Sequence, residues 1–215
     1  MARRRRSAIA ATSTVHLAGS ALVCPCHVCA FYSSAEEQYA ALVPFLSEGL
    51  EAGERVVSLV DANERADRIK RLKLAGVNVE AAQRSGQLEI EIWENTYLRD
   101  GRFDAEEMLV YLQEAINTGL QRGFARTRGW ANMEWALTGA PGAEELALYE
   151  SRANFILPLY SDAAVCAYDV SRFPASVLED VARAHPYILA DGFVQENPHY
   201  VPPEELVPEF ERRRH

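Results

Sequence analysis

Lysine is scarce in this chain, which has only Lys70 and Lys73 among its 22 lysine and arginine residues. Neither lysine follows a glycine-rich loop, so the sequence excludes ATP hydrolysis through a phosphate-binding loop. The Gly-x-Ser-x-Gly motif of serine hydrolases and the His-Glu-x-x-His motif of zinc proteases are also missing. No apolar run reaches the roughly 18 residues that a membrane-spanning helix needs, so we expect no such helix.

Basic residues as a whole are outnumbered. The 215 residues include 22 Lys and Arg against 31 Asp and Glu, which gives a formal net charge of −9. Four of the arginines stand together at residues 3–6, so the rest of the chain is more acidic still. An acidic surface repels phosphate backbones and anionic lipids. We therefore expect no direct nucleic-acid partner and no membrane partner.

Cysteine is confined to four positions, Cys24, Cys26, Cys29 and Cys166. Three of them crowd into residues 24–29, which is not the spacing of a disulfide framework in a chain of this length. Reduced thiols are typical of cytosolic proteins. We therefore expect a cytoplasmic protein with free cysteines.

Both ends of the chain are predicted to lie outside the folded domain. Polar residues interrupt the weakly apolar stretch that follows residues 3–6, and no clean small-residue cleavage site comes after it. We interpret residues 1–22 as a disordered basic tail rather than a signal peptide. The folded domain is expected over residues 23–205, and residues 206–215 are expected to form a charged tail that ends in a short helix.

Between these tails, β-rich runs alternate with helical patterns. Predicted strands lie at residues 26–32, 55–61, 88–93 and 163–170, with another inside 127–137. Predicted helices lie at residues 34–52, 63–75, 104–122, 141–157 and 174–184. Residues 187–190 and 193–195 flank an Asp-Gly pair, which is typical of a β-hairpin. The alternation predicts an α/β fold, a three-layer sandwich with a mostly parallel sheet and a C-terminal antiparallel hairpin.

The turn after the first predicted strand is where an open α/β sheet usually binds phosphate. Residues 31–37 read FYSSAEE at this turn. No glycine lets the backbone wrap around a phosphate, no lysine reaches it, and Glu36 and Glu37 repel it. We therefore expect no phosphate loop, no useful affinity for ATP and no cofactor.

The densest group of metal-ligating residue types is Cys24-Pro-Cys26-His27-Val-Cys29. In a strand over residues 26–32, His27 and Cys29 face one side of the sheet while Cys26 faces the other. This alternation favours buried thiols and a hydrogen-bonded histidine. The alternative is a metal-binding or redox-responsive regulator that uses Cys24, Cys26, His27 and Cys29.

Glu134 is a single carboxylate inside the apolar stretch WANMEW at residues 130–135. Two interpretations stay open: an ion pair with an arginine, or the polar anchor of an aromatic pocket beyond the carboxyl ends of the strands. The candidate arginines are Arg126, Arg128 and Arg152. The aromatic walls of the pocket would be Tyr32, Trp93, Tyr97 and Trp135. Glu134 and Trp135 can share that pocket only if the strand ends or bulges between them.

Two further motifs favour structural roles. The sequence Tyr149-Glu150-x-Arg152 is interpreted as a hydrogen-bonding pair that connects the surface to the core. The sequence His185-Pro186 is interpreted as a helix terminator, because a helix usually ends before the residue that precedes proline.

Several stretches, taken together, resemble one family. They are HVCAFY at 27–32, LVPFLSEGL at 42–50 with Gly53-Glu54, Tyr97-Leu98 with GRFD at 101–104, YESR at 149–152, and NPHYVPP at 197–203. This set is similar to the MEDS domain, the methanogen/methylotroph DcmR sensory domain, and the resemblance extends over about residues 27–205. The histidine and cysteine of the family pattern fall on His27 and Cys29.

The resemblance implies a sensory module similar to RecA/KaiC-type ATPase cores whose phosphate loop has been lost. Such modules are proposed to recognise small hydrocarbon derivatives and occur beside DNA-binding, histidine-kinase or anti-sigma-like ATPase modules. We therefore expect a stand-alone sensory domain, not an enzyme, that binds a small, mostly apolar ligand. It would regulate a separate kinase, anti-sigma-like ATPase or transcription factor. The candidate ligand-binding residues are His27, Cys29, Tyr32, Trp93, Tyr97, Glu134 and Trp135, and no catalytic residue is assigned.

Overall fold

The computed structural model describes residues 13–213, and its centre is a seven-stranded sheet. Across the sheet the strands are β5 (Leu88–Ile92), β4 (Arg55–Val60), β6 (Thr127–Asn132), β7 (Ala163–Asp169), β3 (Cys26–Tyr32), β8 (Tyr187–Ala190) and β9 (Phe193–Glu196). All neighbours run parallel except β8 and β9, which form an antiparallel hairpin. The predicted α/β fold with a mostly parallel sheet and a C-terminal hairpin is confirmed.

Helices cover both faces of this sheet. One face carries α1 (Ala35–Glu51), α2 (Arg65–Leu74) and α3 (Val79–Arg84), and the other carries α4 (Ala105–Gln121), α5 (Leu146–Ala153) and α6 (Ala175–Arg183). Successive residues of β3 alternate between the two cores, with Val28 in the α1 core and Cys29 in the α4–α6 core. The molecule is therefore the three-layer sandwich that the sequence predicts.

Ser34 and Asp104 cap the starts of α1 and α4. The Ser34 hydroxyl accepts a hydrogen bond of 3.3 Å from the Glu37 amide at the start of α1. The Asp104 carboxylate accepts bonds of 3.0 Å from the amides of Glu106 and Glu107 at the start of α4. These caps satisfy amides that a helix leaves without intrahelical partners.

The predicted disorder of the N-terminal tail is wrong for residues 13–22. A hairpin forms there from β1 (Ser13–Leu17) and β2 (Ser20–Cys24), and it contacts α1. Val15 and Leu17 are buried while Thr14 and His16 are exposed, so the polar residues form the outer face of a strand. The rest of the predicted tail, residues 1–12, lies outside the described part of the chain.

The predicted C-terminal tail is a docked helix. The last helix, α7 (Pro203–Arg213), begins before residue 206 and packs against α5. Leu206 and Phe210 are buried beside Leu148 and Ala184. A helical spacing of four residues brings both apolar side chains to the inner face of an otherwise charged helix.

Two element boundaries differ from the prediction and bear on the site. The helix predicted for residues 141–157 is regular only over α5, with short 3-10 turns on either side. Strand β6 ends at Asn132, and Glu134–Leu137 form a 3-10 turn. Glu134 and Trp135 therefore follow the strand rather than alternate along it. Over residues 13–213, no helix combines the length and apolar character that crossing a membrane requires.

Candidate functional site

The middle of β3 lies between β7 and β8, and this strand order brings distant residues together. In the parallel register Cys29 lies opposite Cys166 of β7 and Ile188 of β8. His27 and Cys29 face the α4–α6 side, where α5 crosses the sheet. The side chains of α5 therefore meet those of β3 and β7 in the core.

A buried polar cluster occupies this meeting point, and we call His27, Glu150, Cys166 and His185 the core cluster. Oε2 of Glu150 lies 3.3 Å from Nε2 of His27, 3.4 Å from Sγ of Cys166 and 3.6 Å from Nε2 of His185. The Cys166 Sγ lies 3.5 Å from Nε2 of His27. The exposed fraction is 3% or less for His27, Glu150 and His185, and it is 7% for Cys166. One carboxylate oxygen is thus the common neighbour of two imidazoles and a thiol.

The other ring nitrogen of each histidine has a fixed partner. Nδ1 of His185 donates to the Val181 carbonyl at 2.7 Å, because a carbonyl can only accept. Nδ1 of His27 lies 3.1 Å from Oδ1 of Asn154, whose amide nitrogen donates to the Ala184 carbonyl at 2.7 Å. The Asn154 oxygen is therefore the acceptor, and Nδ1 of His27 carries a proton. Nε2 of each imidazole is consequently directed into the core cluster.

Glu150 is held in its ionised form. Burial would raise its pKa, but the neighbouring His185 and His27 and a hydrogen bond from Tyr168 lower the pKa to about 2. The Tyr168 hydroxyl donates to Oε1 at 2.6 Å. For His185, burial and the nearby His27 lower the pKa to about 3. The core cluster thus combines a carboxylate with a neutral His185 at neutral pH.

The two thiols on this face are protonated. Burial and the charge of Glu150 raise the pKa of both Cys29 and Cys166 well above the ordinary value. A thiol is a nucleophile only as thiolate. Neither cysteine is poised for nucleophilic chemistry in this environment.

A cavity adjoins the core cluster. It has a volume of about 80 Å³ and lies between the sheet and helices α4 and α5. His27, Glu150 and Cys166 form part of one wall, and Tyr97 and Tyr149 form another part. Most of the remaining wall is apolar, from side chains such as Met108, Ile116, Ala153 and Leu157. The molecule therefore contains a small apolar space with a few convergent polar groups, which is the usual composition of a ligand pocket.

The structure divides the seven ligand-binding candidates into separate groups. His27 and Tyr97 line the cavity, and Cys29 lies beside it in the same core. Tyr97 also stacks on Trp135, with ring centroids 4.8 Å apart. Trp93 donates from Nε1 to the Asn132 carbonyl at 3.0 Å. A role for these residues in binding a ligand stays a prediction.

Tyr32 and Glu134 form the remaining group, at the carboxyl edge of the sheet. The Tyr32 hydroxyl donates to Glu134 at 2.5 Å, and the Asp169 amide donates to the same carboxylate oxygen at 3.0 Å. The alternative in which Glu134 pairs with one of the three candidate arginines is wrong. The three candidate arginines pair with other carboxylates: Arg126 and Arg128 with Glu54, and Arg152 with Glu106 and Glu211.

The metal site predicted as an alternative, on Cys24, Cys26, His27 and Cys29, is also wrong. Cys24 and Cys26 lie in the α1 core, with their Sγ atoms 3.9 Å apart, while Cys29 lies in the opposite core and His27 lines the cavity on that side. The strand itself separates the two pairs, so the four groups cannot surround one ion.

Three members of the core cluster were missed as site residues. Glu150 belongs to the motif interpreted as a surface-to-core pair, and His185 was interpreted as a helix terminator. The sequence does contain a signal for these residues, because Glu150 and His185 are polar residues within stretches that are otherwise apolar. Their convergence on His27 depends on the strand order β7-β3-β8, which no local pattern indicates.

At the turn where an open α/β sheet usually binds phosphate, the donors are occupied by the chain itself. The Glu37 carboxylate accepts hydrogen bonds from the Ser33 amide at 2.8 Å and from the Ser33 hydroxyl at 3.0 Å. These are the groups at the strand-to-helix turn that would face a phosphate. A carboxylate in this place repels an incoming anion.

Together these features define an open α/β sandwich with a closed phosphate position and a buried polar cluster beside an apolar cavity. Two solved structures share its fold. A KaiC-like protein from Pyrococcus horikoshii OT3 superposes with a TM-score of 0.52 at 14% identity, over 76% of this chain and 69% of that chain. An uncharacterised protein from Pyrococcus horikoshii, solved in complex with an unknown peptide, gives a TM-score of 0.57 at 17% identity, over 79% and 80%.

The sequence family is established directly. The model of the MEDS family, the MEthanogen/methylotroph, DcmR Sensory domain, matches residues 26–186, and the chain belongs to this family. The transcriptional repressor DcmR of Methylorubrum extorquens strain DM4 is 28% identical over 165 residues, which are 74% of this chain. The match covers 57% of the repressor, so the chain spans little more than half the length of that relative. The resemblance found in the sequence motifs is confirmed.

Proposed function

We propose that the chain is a sensory domain that binds a small, mostly apolar molecule in the cavity between the sheet and helices α4 and α5. The observation that carries the proposal is the cavity itself, about 80 Å³ of largely apolar space bordered by His27, Glu150 and Cys166. Natural cores are close-packed, so a space of this size beside a polar cluster is unusual. Membership of a sensory family supports the same role.

The dimensions of the cavity limit the ligand. A space of about 80 Å³ accommodates a molecule of only a few non-hydrogen atoms. The best small ligands gain about 1.5 kcal/mol per such atom, so a ligand of about four atoms reaches at best about −6 kcal/mol. This corresponds to a Kd of about 40 μM or weaker. The sensor would therefore respond to micromolar or millimolar concentrations.

Helix α5 connects the cavity to the surface. Its Glu150 and Ala153 line the cavity, while Arg152 forms ion pairs with Glu106 of α4 and Glu211 of α7. A ligand that displaces α5 would therefore change how α4 and α7 are held. This supports an output surface that includes α7, through which a separate regulatory protein would read the state of the cavity.

The output is proposed to be regulatory rather than catalytic. One relative is a transcriptional repressor, which favours control of transcription by way of a transcription factor, kinase or anti-sigma-like ATPase. Protonated thiols and a closed phosphate position leave no activated nucleophile or nucleotide site among the groups described above. We infer that the chain signals by conformational change and is not an enzyme.

Xenon and small haloalkanes, alcohols and ketones serve as probes of this proposal. We expect saturable NMR shift changes at the cavity walls and slower amide hydrogen exchange in α5 and α7. Ala153→Leu fills the cavity and should abolish both effects. Ala66→Leu adds the same carbons at an exposed position of α2 and should leave both unchanged. Probe effects that survive Ala153→Leu, or no saturable effect in the unaltered chain, would reject the proposal.

A further inference from the structure

We propose that the core cluster is a binding site for a divalent transition metal ion of the zinc type. The ligands would be Nε2 of His27, Nε2 of His185, Oε2 of Glu150 and Sγ of Cys166, which all lie within 4.8 Å of one another. This goes beyond the proposed sensing of an apolar molecule, and it uses a different ligand set from the cysteine-rich stretch around Cys26.

The distances between the ligand atoms fit tetrahedral coordination. Zinc bonds of about 2.0 Å to nitrogen and oxygen and about 2.3 Å to sulfur separate the ligand atoms by about 3.3 to 3.5 Å. Oε2 of Glu150 lies 3.3, 3.4 and 3.6 Å from its neighbours in His27, Cys166 and His185. The distance from His27 to Cys166 is 3.5 Å. Three of the tetrahedron's six edges therefore have the required length, and a fourth, between His185 and Glu150, exceeds it by about 0.1 Å.

The surrounding hydrogen bonds orient the ligands as in known metal sites. A histidine that binds a metal through one nitrogen usually donates from the other to a carbonyl, a carboxylate or water. His185 donates from Nδ1 to the Val181 carbonyl, and His27 donates to the Asn154 oxygen. Tyr168 holds the second oxygen of Glu150. Each imidazole is thereby fixed with Nε2 directed toward the other ligands of the core cluster.

Charge and hydrogen bonding point to a cation at this place. Nε2 of His185 is fully buried and makes no hydrogen bond with any described residue. This nitrogen lies 3.6 Å from Oε2 of Glu150, and the lone pair of a neutral His185 is repelled by the carboxylate unless a positive charge lies between the two atoms. A coordinated thiol is deprotonated, so Cys166 would release its proton to solvent on binding. One divalent ion with two anionic and two neutral ligands then forms a neutral buried site.

The ligand types also select the metal. Two imidazoles, one thiolate and one carboxylate suit Zn²⁺ and its spectroscopic substitute Co²⁺, whereas Mg²⁺ and Ca²⁺ prefer oxygen ligands only. All four ligands come from the protein, which is typical of a structural or regulatory site rather than a catalytic one. The adjoining cavity reaches three of the four ligands and offers a path for the ion.

The test uses the full chain, freed of metal by a chelator and then titrated with Zn²⁺ or Co²⁺. We expect about one ion per chain, a thiolate-to-cobalt charge-transfer band, and a thermal midpoint raised by about 5–10 °C at 100 times the Kd. Cys166→Ala should abolish the charge-transfer band and weaken zinc binding by more than about 100-fold. Asn154→Ala, which removes the partner of His27 Nδ1 but none of the four ligands, should weaken binding by about 10- to 100-fold and retain the band.

Cys29→Ala is the matched control. Cys29 is buried on the same face and lies directly opposite Cys166, so its removal disturbs packing equally without removing a ligand. This variant should bind zinc like the unaltered chain. If Cys166→Ala does not fold, the cobalt spectra of the unaltered chain and of Asn154→Ala decide the question.

The proposal is overturned if the unaltered chain takes up no stoichiometric zinc and shows no shift of its thermal midpoint. It is equally overturned if the cobalt band survives in Cys166→Ala. Either result would identify the core cluster as a hydrogen-bonded His27–Glu150 pair only. The xenon experiment is independent, because Ala153→Leu alters the cavity and none of the four ligands.

Discussion

Tyr32 donates a 2.5 Å hydrogen bond to Glu134, and this bond joins the carboxyl end of β3 to the turn that follows β6. The Asp169 amide, at the end of β7, donates to the same oxygen. Glu134 therefore ties together the ends of three neighbouring strands. At this edge, where related folds place their ligands, the carboxylate is already satisfied by donors of the chain itself.

Removing the Tyr32 hydroxyl should destabilise the fold. Burial raises the pKa of Glu134 while the hydrogen bond from Tyr32 lowers it, so the Tyr32→Phe variant leaves a poorly satisfied carboxylate. We expect a loss of about 1.5–3 kcal/mol in the free energy of unfolding at pH 7, measured by urea denaturation. Adding Glu134→Gln should recover part of the loss.

Tyr160→Phe provides the comparison for this pair. The Tyr160 hydroxyl makes only long contacts of 3.4 and 3.5 Å, with Asn117 and Gln113. Its removal should change stability by less than about 0.5 kcal/mol. Equal losses in the two tyrosine variants would show that the Tyr32–Glu134 bond contributes no more to the free energy of unfolding than the long contacts of Tyr160.

Asp162 should make stability depend on pH. Its side chain is buried and accepts from the Thr127 amide at 2.6 Å, and burial raises its pKa to about 6 despite that bond. Because the pKa of Asp162 is higher in the folded than in the unfolded state, its protonation contributes to the free energy of unfolding. This contribution is fully present below pH 4 and is lost as pH rises through about 6. The free energy of unfolding of Asp162→Asn, relative to that of the unaltered chain, should therefore rise by up to about 3 kcal/mol between pH 4 and pH 8.

Urea denaturation at several pH values measures this difference. Glu179→Gln, which changes an exposed acid on α6, should follow the unaltered chain at every pH. A constant difference between Asp162→Asn and the unaltered chain from pH 4 to pH 8 would contradict the assignment.

Docking of α7 should contribute several kcal/mol to the fold. Leu206 is fully buried against α5, so Leu206→Ala should lower the free energy of unfolding by about 2–5 kcal/mol. Leu74→Ala removes the same atoms from a side chain that is 78% exposed and should cost less than about 0.5 kcal/mol. A loss in Leu206→Ala as small as that in Leu74→Ala would show that α7 is not docked in solution.

ATP should not bind. The Glu37 carboxylate occupies the Ser33 amide and hydroxyl, and neither lysine of the chain lies at this turn. Isothermal titration with Mg-ATP should give no saturable heat at millimolar concentration. Glu37→Gln removes a negative charge from this turn but adds no cation, so it should not create an ATP-binding site. Saturable binding at micromolar concentration would refute this expectation.

The order and type of the main elements could be read from local patterns. Ser34 and Asp104 cap the helices that their positions predict, and Asp191-Gly192 forms the predicted turn with φ angles of 50° and 77°. Such signals act over a few residues, so the sequence alone reveals them. The hairpin at residues 13–24 was missed because Thr14 and His16 interrupt an apolar run in the sequence but form the outer face of a strand in the structure.

What the sequence by itself determined is therefore the α/β alternation, the family and the absence of glycine and lysine from the first strand-to-helix turn, since each depends on residues close together along the chain. Only the tertiary structure decided the partners of His27. Strand order places β3 between β7 and β8, and this brings Glu150 and His185 to an imidazole more than a hundred residues away in sequence. The separation of Cys26 from His27, by contrast, follows from alternation along β3 and could be predicted from the sequence. Contacts between distant residues depend on how strands assemble, and a local pattern carries no information about that assembly.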